Sequence, residues 1–512
     1  MDYLIAYDLG TGGCKASIFD IDGVSRASAF ESYQTRYPHA GWHEQKPADW
    51  WKAIIESTKR VAAESAIDTK DISCISISGH SLGVVPLDEH GNVLREYTPI
   101  WSDTRAKGQA DEYFEKNDFE SWYLATGNGF PPQCYPLFKL LWYRDNEPEM
   151  LEKTAVVIGT KDYINYKLTG TLATDYSYAS GSGAYLLKQW KYSDDFIRAA
   201  GLSPDLFPEI VPSTEVVGTL TGEAAGLLGL PSGIRVVSGG VDNACMAAGA
   251  GNITDGQCYT SLGSSSWIAV TSKEPLVDPI SRPYVFTHLV PGMFASAVSI
   301  FSAGSTLNWV RNTLCGGLRY EADEKGADIW ALVNEKAASA PIGAHKLVFN
   351  PSLGGGTPQE PGPNIKGSFS GLDLRHTQSD ILRSTFEGIT MNLKLVLDIL
   401  TRIYPAGDEM MIVGGGAKSG LWRQIFADVF GMTILKSSVD QDAGSLGAAA
   451  AGAVGIGMWP DFSVIRKAHT IEDRRAPVPE NAEKYRRLIS VFRRHRKDQA
   501  AFGDELDRLD LD

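Results

Sequence analysis

The chain is 512 residues long with a formal net charge of −14, long enough for about two to four domains that each bury a core. A balance that acidic excludes a nucleic-acid partner or an anionic membrane recognised through a basic footprint, so an anionic ligand must be met by local backbone amides and a metal. The six cysteines, Cys14, Cys74, Cys134, Cys245, Cys258 and Cys315, show no C-x-x-C spacing, and no basic stretch followed by an apolar run opens the chain; a cytoplasmic protein with reduced thiols is expected, with neither a zinc site nor a disulfide framework.

In chain order, Leu4 to Tyr7 and Lys15 to Ile21 flank Asp8-Leu-Gly-Thr-Gly-Gly-Cys-Lys15, which predicts two strands joined by a glycine-rich turn. Without Cβ atoms at Gly10, Gly12 and Gly13, consecutive N–H groups can approach phosphate oxygens; Asp8 suits a hydrated divalent cation and Lys15 the terminal phosphates. Pro47 opens a helix with Trp51, Ile54, Ile55 and Thr58 on one face. Asp71 to Ser78 reads as a buried strand ending at Gly79-His-Ser-Leu-Gly83, a loop at a strand's carboxyl end, where α/β sheets place ligands. Helical and Gly/Ser/Thr-rich stretches alternate from Lys139 to Leu187. Ile234 to Asp242 is a second strand, ending in Gly239, Gly240 and a carboxylate, with a helix from Asn243 to Ala250.

Beyond Gly251 the pattern restarts: Cys258 to Val270 repeats the strand, small-residue turn and strand of residues 4–19. That duplication predicts two similar α/β domains, 1–250 and 251–512, each lending a phosphate-gripping hairpin to a cleft between them. The second half adds Ser302 to Trp309, a Gly/Pro-rich loop from 351 to 367, and a strand from Met411 running into Gly414, Gly415 and Gly416 before a helix over Leu421 to Phe430, a third amide-rich anion site. Ala443 to Trp459 is uncharged but mostly Ala and Gly, the composition of a closely packed helix in a soluble core and not of a membrane span. In a helix expected over 481–500, Tyr485, Leu488, Ile489 and Phe492 form the docking stripe, and the five arginines and one lysine of the stretch 485–497 a solvated face.

These turns resemble the actin, hexokinase and heat-shock ATPase superfamily, and further residues narrow the resemblance to one branch. Gly367-Ser-Phe-Ser-Gly-Leu372, seven residues, then Asp380-Ile-Leu-Arg-Ser-Thr-Phe-Glu387 matches the long signature of the FGGY carbohydrate kinases at every defined position. The family's earlier signature is met at Pro136, Lys139 and Trp142 and departed from at Cys134 and Tyr143. Trp101-x-Asp103-x-Arg105, Lys161-Asp162-Tyr163, Thr174-Asp175, Gly239 to Asn243 and Gly414 to Ala417 stand in the order seen in xylulokinase-like members, and a Walker A motif is absent, as the family implies.

The resemblance implies two duplicated ribonuclease-H-like, actin-like ATPase domains of the α/β class with the active site in their cleft, and an ATP-dependent kinase acting on a sugar hydroxyl. It implies that Asp8 and Asp242 hold Mg²⁺ and that Asp242 is the general base. Gly10, Thr11, Gly12, Gly13 and Lys15 resemble the first phosphate loop; Gly263, Ser264 and Ser265 the second, with Ser264 where threonine is usual; Gly304 and Asn308 with Gly414, Gly415, Gly416 and Ala417 the adenosine pocket. His80, Ser81, Leu82, Trp101, Asp103, Asp242 and Asn243 are the expected sugar contacts. Xylulokinases show Gln-Met-His-Gly where this chain has His80-Ser81-Leu82-Gly83, so Ser81 and Leu82 are the expected selector among acceptors. A pentulose such as xylulose is the first expectation, with ribulose, glycerol, erythritol or a similar ketose or polyol as alternatives and a nucleotide-switch ATPase as the alternative of another class. A homodimer is left open. Phosphoryl transfer through a loose transition state asks mainly for in-line positioning and charge neutralisation, with the base accepting a proton late, so a raised pKa at Asp242 is not required.

Overall fold

The computed structural model describes residues 2–356 and 360–509; residues 357–359 of the expected 351–367 loop, and the last three positions of the expected second domain, lie outside the described residues. Two compact units emerge: one made of Met1–Asp255, Thr271–Ser296 and Asp442–His469, the other of Gly256–Val270, Ala297–Gln441 and Thr470–Asp512. The first segment ends close to the expected boundary at residue 250, but two later segments return to the first unit, which no local feature of the sequence announces.

The first unit is built on strands β1 (Tyr3–Leu9), β2 (Gly13–Phe19), β3 (Ser25–Ser32), β4 (Ile72–Gly79), β5 (Val216–Thr219) and β6 (Arg235–Val241), in the order β5-β6-β4-β1-β2-β3. β1 and β2 form the expected antiparallel hairpin, with Asp8 opposite Lys15 and Leu9 opposite Cys14. β4 and β6 join β1 in parallel, and covering of both sheet faces by helices accounts for their near-continuous apolar sequences. Alternation along β1 sends its side chains to opposite faces. Ile5, Tyr7 and Leu9 enter a core with Trp50 and Ile54 of the helix Pro47–Ser65. Leu4 and Asp8 meet the glycines Gly452 and Gly444 of the helix Ala443–Gly455. The buried face of the Pro47 helix is Trp50, Ala53, Ile54, Ser57, Thr58 and Val61, one step round from the expected stripe, so Trp51 and Ile55 are only half-buried. All six cysteines are free and buried.

In the second unit β7 (Cys258–Leu262) and β8 (Ser266–Ser272) repeat the antiparallel hairpin, and β9 (Glu409–Val413), β10 (Thr433–Ser437) and β11 (Ile471–Arg475) extend it, β7, β9 and β10 being parallel and β11 antiparallel. The end of the long family signature becomes the head of the helix Gln378–Ile403, where Asp380 Oδ2 reaches back to accept the Thr377 N–H and Oγ1–H, each at 2.9 Å. Its Glu387 is buried, accepting from Arg383 at 2.7 Å and from the hydroxyl of Tyr485 at 2.7 Å. Tyr485 belongs to the closing helix Pro479–Asp507, which buries Tyr485 and Phe492 as expected but not an all-solvated basic face: Arg496 is 4% exposed and paired with Glu360 at 3.1 Å. No helix among the described residues is long and apolar enough to cross a membrane, and the Ala443 helix lies in the first unit's core with Ala448, Ala450 and Ala451 fully buried.

Candidate functional site

Three parallel strands of the first unit end at one level. Leu9 pairs with Gly79, and Gly79 with Val241, so the loops opening at Gly10, His80 and Asp242 leave side by side from the carboxyl edge of the sheet, the position at which such sheets hold ligands. Sequence motifs some 230 residues apart are thereby brought together by strand register alone.

The glycine turn is braced from several sides. Gly10 N–H donates to Gly13 O at 3.0 Å, and the Tyr33 hydroxyl donates to Gly10 O. A Cβ on Gly13 would lie 2.5 Å from Glu31 O, so that position admits only glycine. The amide of Gln45, itself fixed by Trp50 Nε1–H at 2.9 Å, donates to Thr11 O at 2.7 Å. Trp101 Nε1–H donates to Thr11 Oγ1 at 2.9 Å, its ring otherwise partly open at 37% exposure. Lys15 pairs with Asp442 at the head of the Ala443 helix. Asp8 accepts from Ser78 Oγ at 2.9 Å; a Cβ on Gly444 would sit 2.7 Å from its Oδ2, so this carboxylate lies against a helix amino end, which favours negative charge.

Asp242 is the first residue of the helix Asp242–Gly249, whose N-cap is Val241. Its Oδ1 accepts the Asn243 N–H at 2.9 Å, so it is not the capping residue of that helix. Burial, followed by the nearby negative charge of Asp8, pushes its carboxyl up to about 7. Asp8 is raised as well, again chiefly by burial, with Ser78 and Lys15 working the other way. The raised value at Asp242 thus follows from where it sits, although the chemistry does not ask for it. Two half-buried carboxyls that repel each other fit a divalent cation, whose charge would relieve both. Among the described residues no group of three or more His, Cys, Asp or Glu is spaced to hold a metal, and a pair of carboxylates suits a cation that keeps most of its water, as Mg²⁺ does.

The expected acceptor residues divide. His80 is buried and neutral, lowered to about 4 by burial; its Nδ1 faces Thr160 Oγ1 at 3.3 Å, and its Nε2 has no partner among the described residues. Ser81 follows His80 in the loop after β4, and Asn243 follows Asp242 at the head of the helix after β6. Leu82 is placed differently from the expectation: at φ +60° its side chain joins the apolar core with Trp122 and Phe138 and is 1% exposed, so a sugar can meet only its backbone. Asp103 differs too. Oδ1 accepts Arg105 N–H and Nε–H at 3.1 and 2.9 Å, and Oδ2 accepts His43 N–H and Arg105 Nη2–H at 2.7 and 2.8 Å. A carboxylate offers about four acceptor sites, so Asp103 shapes its loop and has none left for a ligand. Arg105 is in turn fixed by Glu44 at 2.7 Å and lies over the Trp42 ring. In the sequence Lys139 stands out only as a signature position. Fully buried, its ammonium donates to Leu82 O at 2.8 Å and Ile100 O at 2.7 Å, tying both acceptor loops together, and burial lowers it to about 8 despite Asp103.

In the second unit a cavity of about 770 Å³ gathers Gly263, Ser264, Gly304, Asn308, Gly415 and Gly416. Gly304 N–H donates to Gly263 O at 2.9 Å, and a Cβ there would come within 2.5 Å of that oxygen. Ser265, Gly414 and Ala417 support the wall without lining it: Ser265 O accepts Gly263 N–H at 3.0 Å and Ala417 N–H donates to Gly414 O at 2.9 Å. Gly414 lies at φ +92°, its missing Cβ 2.8 Å from Leu262 O. Trp330 and Asn334 of the helix Ile329–Ser339, with Gln441, also line the cavity. In the sequence only Asp328 marks the element, as the helix N-cap whose Oδ1 accepts the Ala331 N–H at 2.9 Å.

A carboxyl pair beside a glycine hairpin in one unit, and a glycine-walled cavity on a repeat of that hairpin in the other, define a phosphotransferase. The chain belongs to the FGGY family of carbohydrate kinases, whose N-terminal domain matches residues 3–249 and whose C-terminal domain matches residues 258–456. It is 31% identical to the xylulose kinase of Bacillus subtilis (strain 168), over 97% of this chain and 98% of that protein. Among solved structures it is similar to xylulose kinase from Rhodospirillum rubrum, with a TM-score of 0.88 at 29% identity over 98% of this chain and 100% of that one. It is also similar to gluconate kinase from Lactobacillus acidophilus, with a TM-score of 0.89 at 26% identity over 99% of both chains. As a kinase of this family it uses ATP and acts on an alcohol group.

Proposed function

We propose that this kinase phosphorylates a pentulose such as xylulose, with Asp242 accepting the proton of the attacking hydroxyl. The observation that carries the reading is the common level of Leu9, Gly79 and Val241, which sets the glycine hairpin, the acceptor loop and the carboxylate on one sheet edge. In this reading the amides of Gly10 to Gly13 with Lys15 meet the terminal phosphates, and Gly263 to Ser265, Gly304, Asn308 and Gly414 to Ala417 surround the rest of the nucleotide. Asp8 and Asp242 would hold Mg²⁺, which supplies charge neutralisation on the phosphate oxygens when bound. Asp242 then needs only to lie against the hydroxyl, with His80, Ser81, Asn243, the open face of Trp101 and the backbone of Leu82 shaping the acceptor's place and Asp103 holding the loop of Trp101 in position.

The chemistry of these loops favours an uncharged ketose over an aldonate. Arg105 is paired with Asp103 and Glu44, Lys139 is held by two carbonyls, and both side chains are fully buried, so neither cation is presented to an aldonate carboxylate. The buried free thiols support a cytoplasmic setting. A coupled ADP assay over ketoses, polyols and gluconate tests the reading: xylulose is expected to give the largest kcat/KM, and ATP turnover to depend on the added sugar. Sugar-independent turnover at the same rate, the behaviour of a nucleotide-switch ATPase, would sink it.

Two variants separate the parts. Asp8→Asn is expected to raise the Mg²⁺ concentration needed for half-maximal rate about tenfold or more while leaving sugar KM within about twofold; an unchanged Mg²⁺ titration would leave Asp8 as a turn residue. Lys139→Met keeps the volume but leaves Leu82 O and Ile100 O without their donor, a loss of roughly 1–3 kcal/mol per buried group. Its acceptor KM is expected to rise about tenfold with ATP KM little changed, as read from initial rates in both substrates.

A further inference from the structure

The strand that delivers Asp242 is irregular just before it does so. The pairing of β6 with β4 slips between Val237 and Gly240. Gly239 stands there at φ +70°, where a Cβ would fall 2.0 Å from Ile77 O, so the bulge admits only glycine. A bulge takes backbone groups out of the ladder, and buried ones must find partners elsewhere. Ser238 N–H goes to Glu215 O at 2.9 Å, Gly239 N–H to Ser213 O at 3.0 Å, and Ser238 O receives Asn165 Nδ2–H at 2.9 Å. The last donor, the N–H of Val241 immediately before Asp242, goes to a side chain: Ser177 Oγ, at 2.9 Å.

Ser177 is not free to turn. Its hydroxyl donates to Asp175 Oδ2, which also takes the Ser177 N–H at 2.8 Å and Ser213 Oγ–H at 2.7 Å. Asp175 Oδ1 lies 3.0 Å from the ammonium of Lys161. Lys161, Asp175 and Ser177 are all fully buried. Burial alone would lower Lys161, but Asp162 and Asp175 outweigh it and hold the ammonium charged. Space is tight on the strand side as well: a Cβ on Gly240 would come 3.0 Å from Ser177 Oγ and 2.4 Å from Leu289 Cδ2. A chain of charge-assisted and hydroxyl hydrogen bonds therefore runs from Lys161 through Asp175 and Ser177 to one backbone amide, the one that sets the direction in which the bulged strand presents Asp242.

We propose that Ser177, held by Asp175 and Lys161, is a positioning residue for the general base, acting through the amide of Val241. The inference rests on the reading of Asp242 as that base. Its physical reason is that in-line transfer tolerates little misplacement: about 1 Å at the reacting groups costs on the order of 10² in rate.

Ser177→Ala removes both the acceptor for Val241 N–H and the donor to Asp175. In the full chain, kcat is expected to fall about tenfold, with KM for ATP and for the sugar each within about twofold. A role that merely supports the fold would give such a loss too, so the same change is made in an Asp242→Asn background, where the base is gone and Ser177→Ala should cost no further kcat. Should Ser177→Ala melt far below the parent, Ser177→Cys keeps the volume with a much weaker acceptor, and the same direction and the same non-additivity are expected. Parent-like kcat in the folded Ser177 variants, or a tenfold loss that persists in the Asp242→Asn background, overturns the inference while the base reading stands. Parent-like turnover of Asp242→Asn by itself overturns the base reading and this inference with it.

Discussion

Asp242→Asn is expected to lower kcat by about 10²-fold or more, with ATP affinity within about twofold of the parent. The amide keeps the shape of the carboxylate and can still accept the Asn243 N–H, which in the parent lies 2.9 Å from Oδ1, so the helix should start unchanged while the proton acceptor is lost. Single-turnover kinetics together with nucleotide titration measures both quantities, and near-parental turnover in a folded variant would remove the assignment. The same substitution has a stability signature. A carboxyl raised to about 7 by burial and by Asp8 binds its proton more tightly folded than unfolded. Its contribution to stability is complete below the unfolded carboxyl's range near 4, and is lost as pH rises through about 7. At pH 8, with divalent cations chelated, the variant should melt about 2 °C or more above the parent; at pH 5 the gap should close. A gap that widens toward acid would mean that Asp242 is not raised in the folded protein. Activity and stability pulling apart at one residue is what a half-buried, mutually repelling carboxyl pair predicts.

What the sequence made legible follows from how local each requirement is. The hairpins at Asp8 to Lys15 and Cys258 to Val270, the strand ending at Asp242 and the glycines of the second unit's cavity answer to strand alternation and to turns that admit no Cβ, and both are written within a dozen residues. Trp50, and not Trp51, faces the core because a helical stripe read from spacing leaves its phase free by one position. Arg496 looked solvated because its partner Glu360 lies far back in the chain. Leu82 carries no sign of its φ of +60°, nor of the core into which that turns it, and the saturation of Asp103 depends on Arg105 folding back and on His43 arriving from another loop. Ser177 and Gln45 each act through one hydrogen bond to distant backbone and Lys139 through two, and no residue type or spacing announces such bonds in advance. The association of Thr271–Ser296 and Asp442–His469 with the first unit has the same cause: the contacts that decide it are made across the fold.

Gly447→Val should have the largest effect on stability. The helices Asp242–Gly249 and Ala443–Gly455 meet backbone to backbone. A Cβ on Gly447 would lie 1.9 Å from Cys245 O, and one on Gly249 1.7 Å from Ala443 O, so each helix supplies the glycine against which the other rests. No rotamer relieves a clash that begins at Cβ and ends on a helix carbonyl. The helices must separate by an ångström or more, opening a core in which Ala244, Ala248 and Ala451 are fully buried; overpacking and the lost contacts together should cost about 3 kcal/mol or more. Function should follow, because Asp242 heads one of these helices, while Asp442 and Gly444, which meet Lys15 and Asp8, head the other. Gly226 is the contrast. It is exposed within the helix Gly222–Leu228, and a Cβ there meets nothing within 4 Å, so Gly226→Ala should be neutral or stabilising by up to about 1 kcal/mol through helix propensity and the reduced entropy of the unfolded chain. Urea unfolding of both variants beside the parent reads the difference. A Gly447→Val protein that unfolds at the parent's midpoint would mean that the two helices do not touch through their glycines, and the placement of Asp242 beside Asp8 would lose its support.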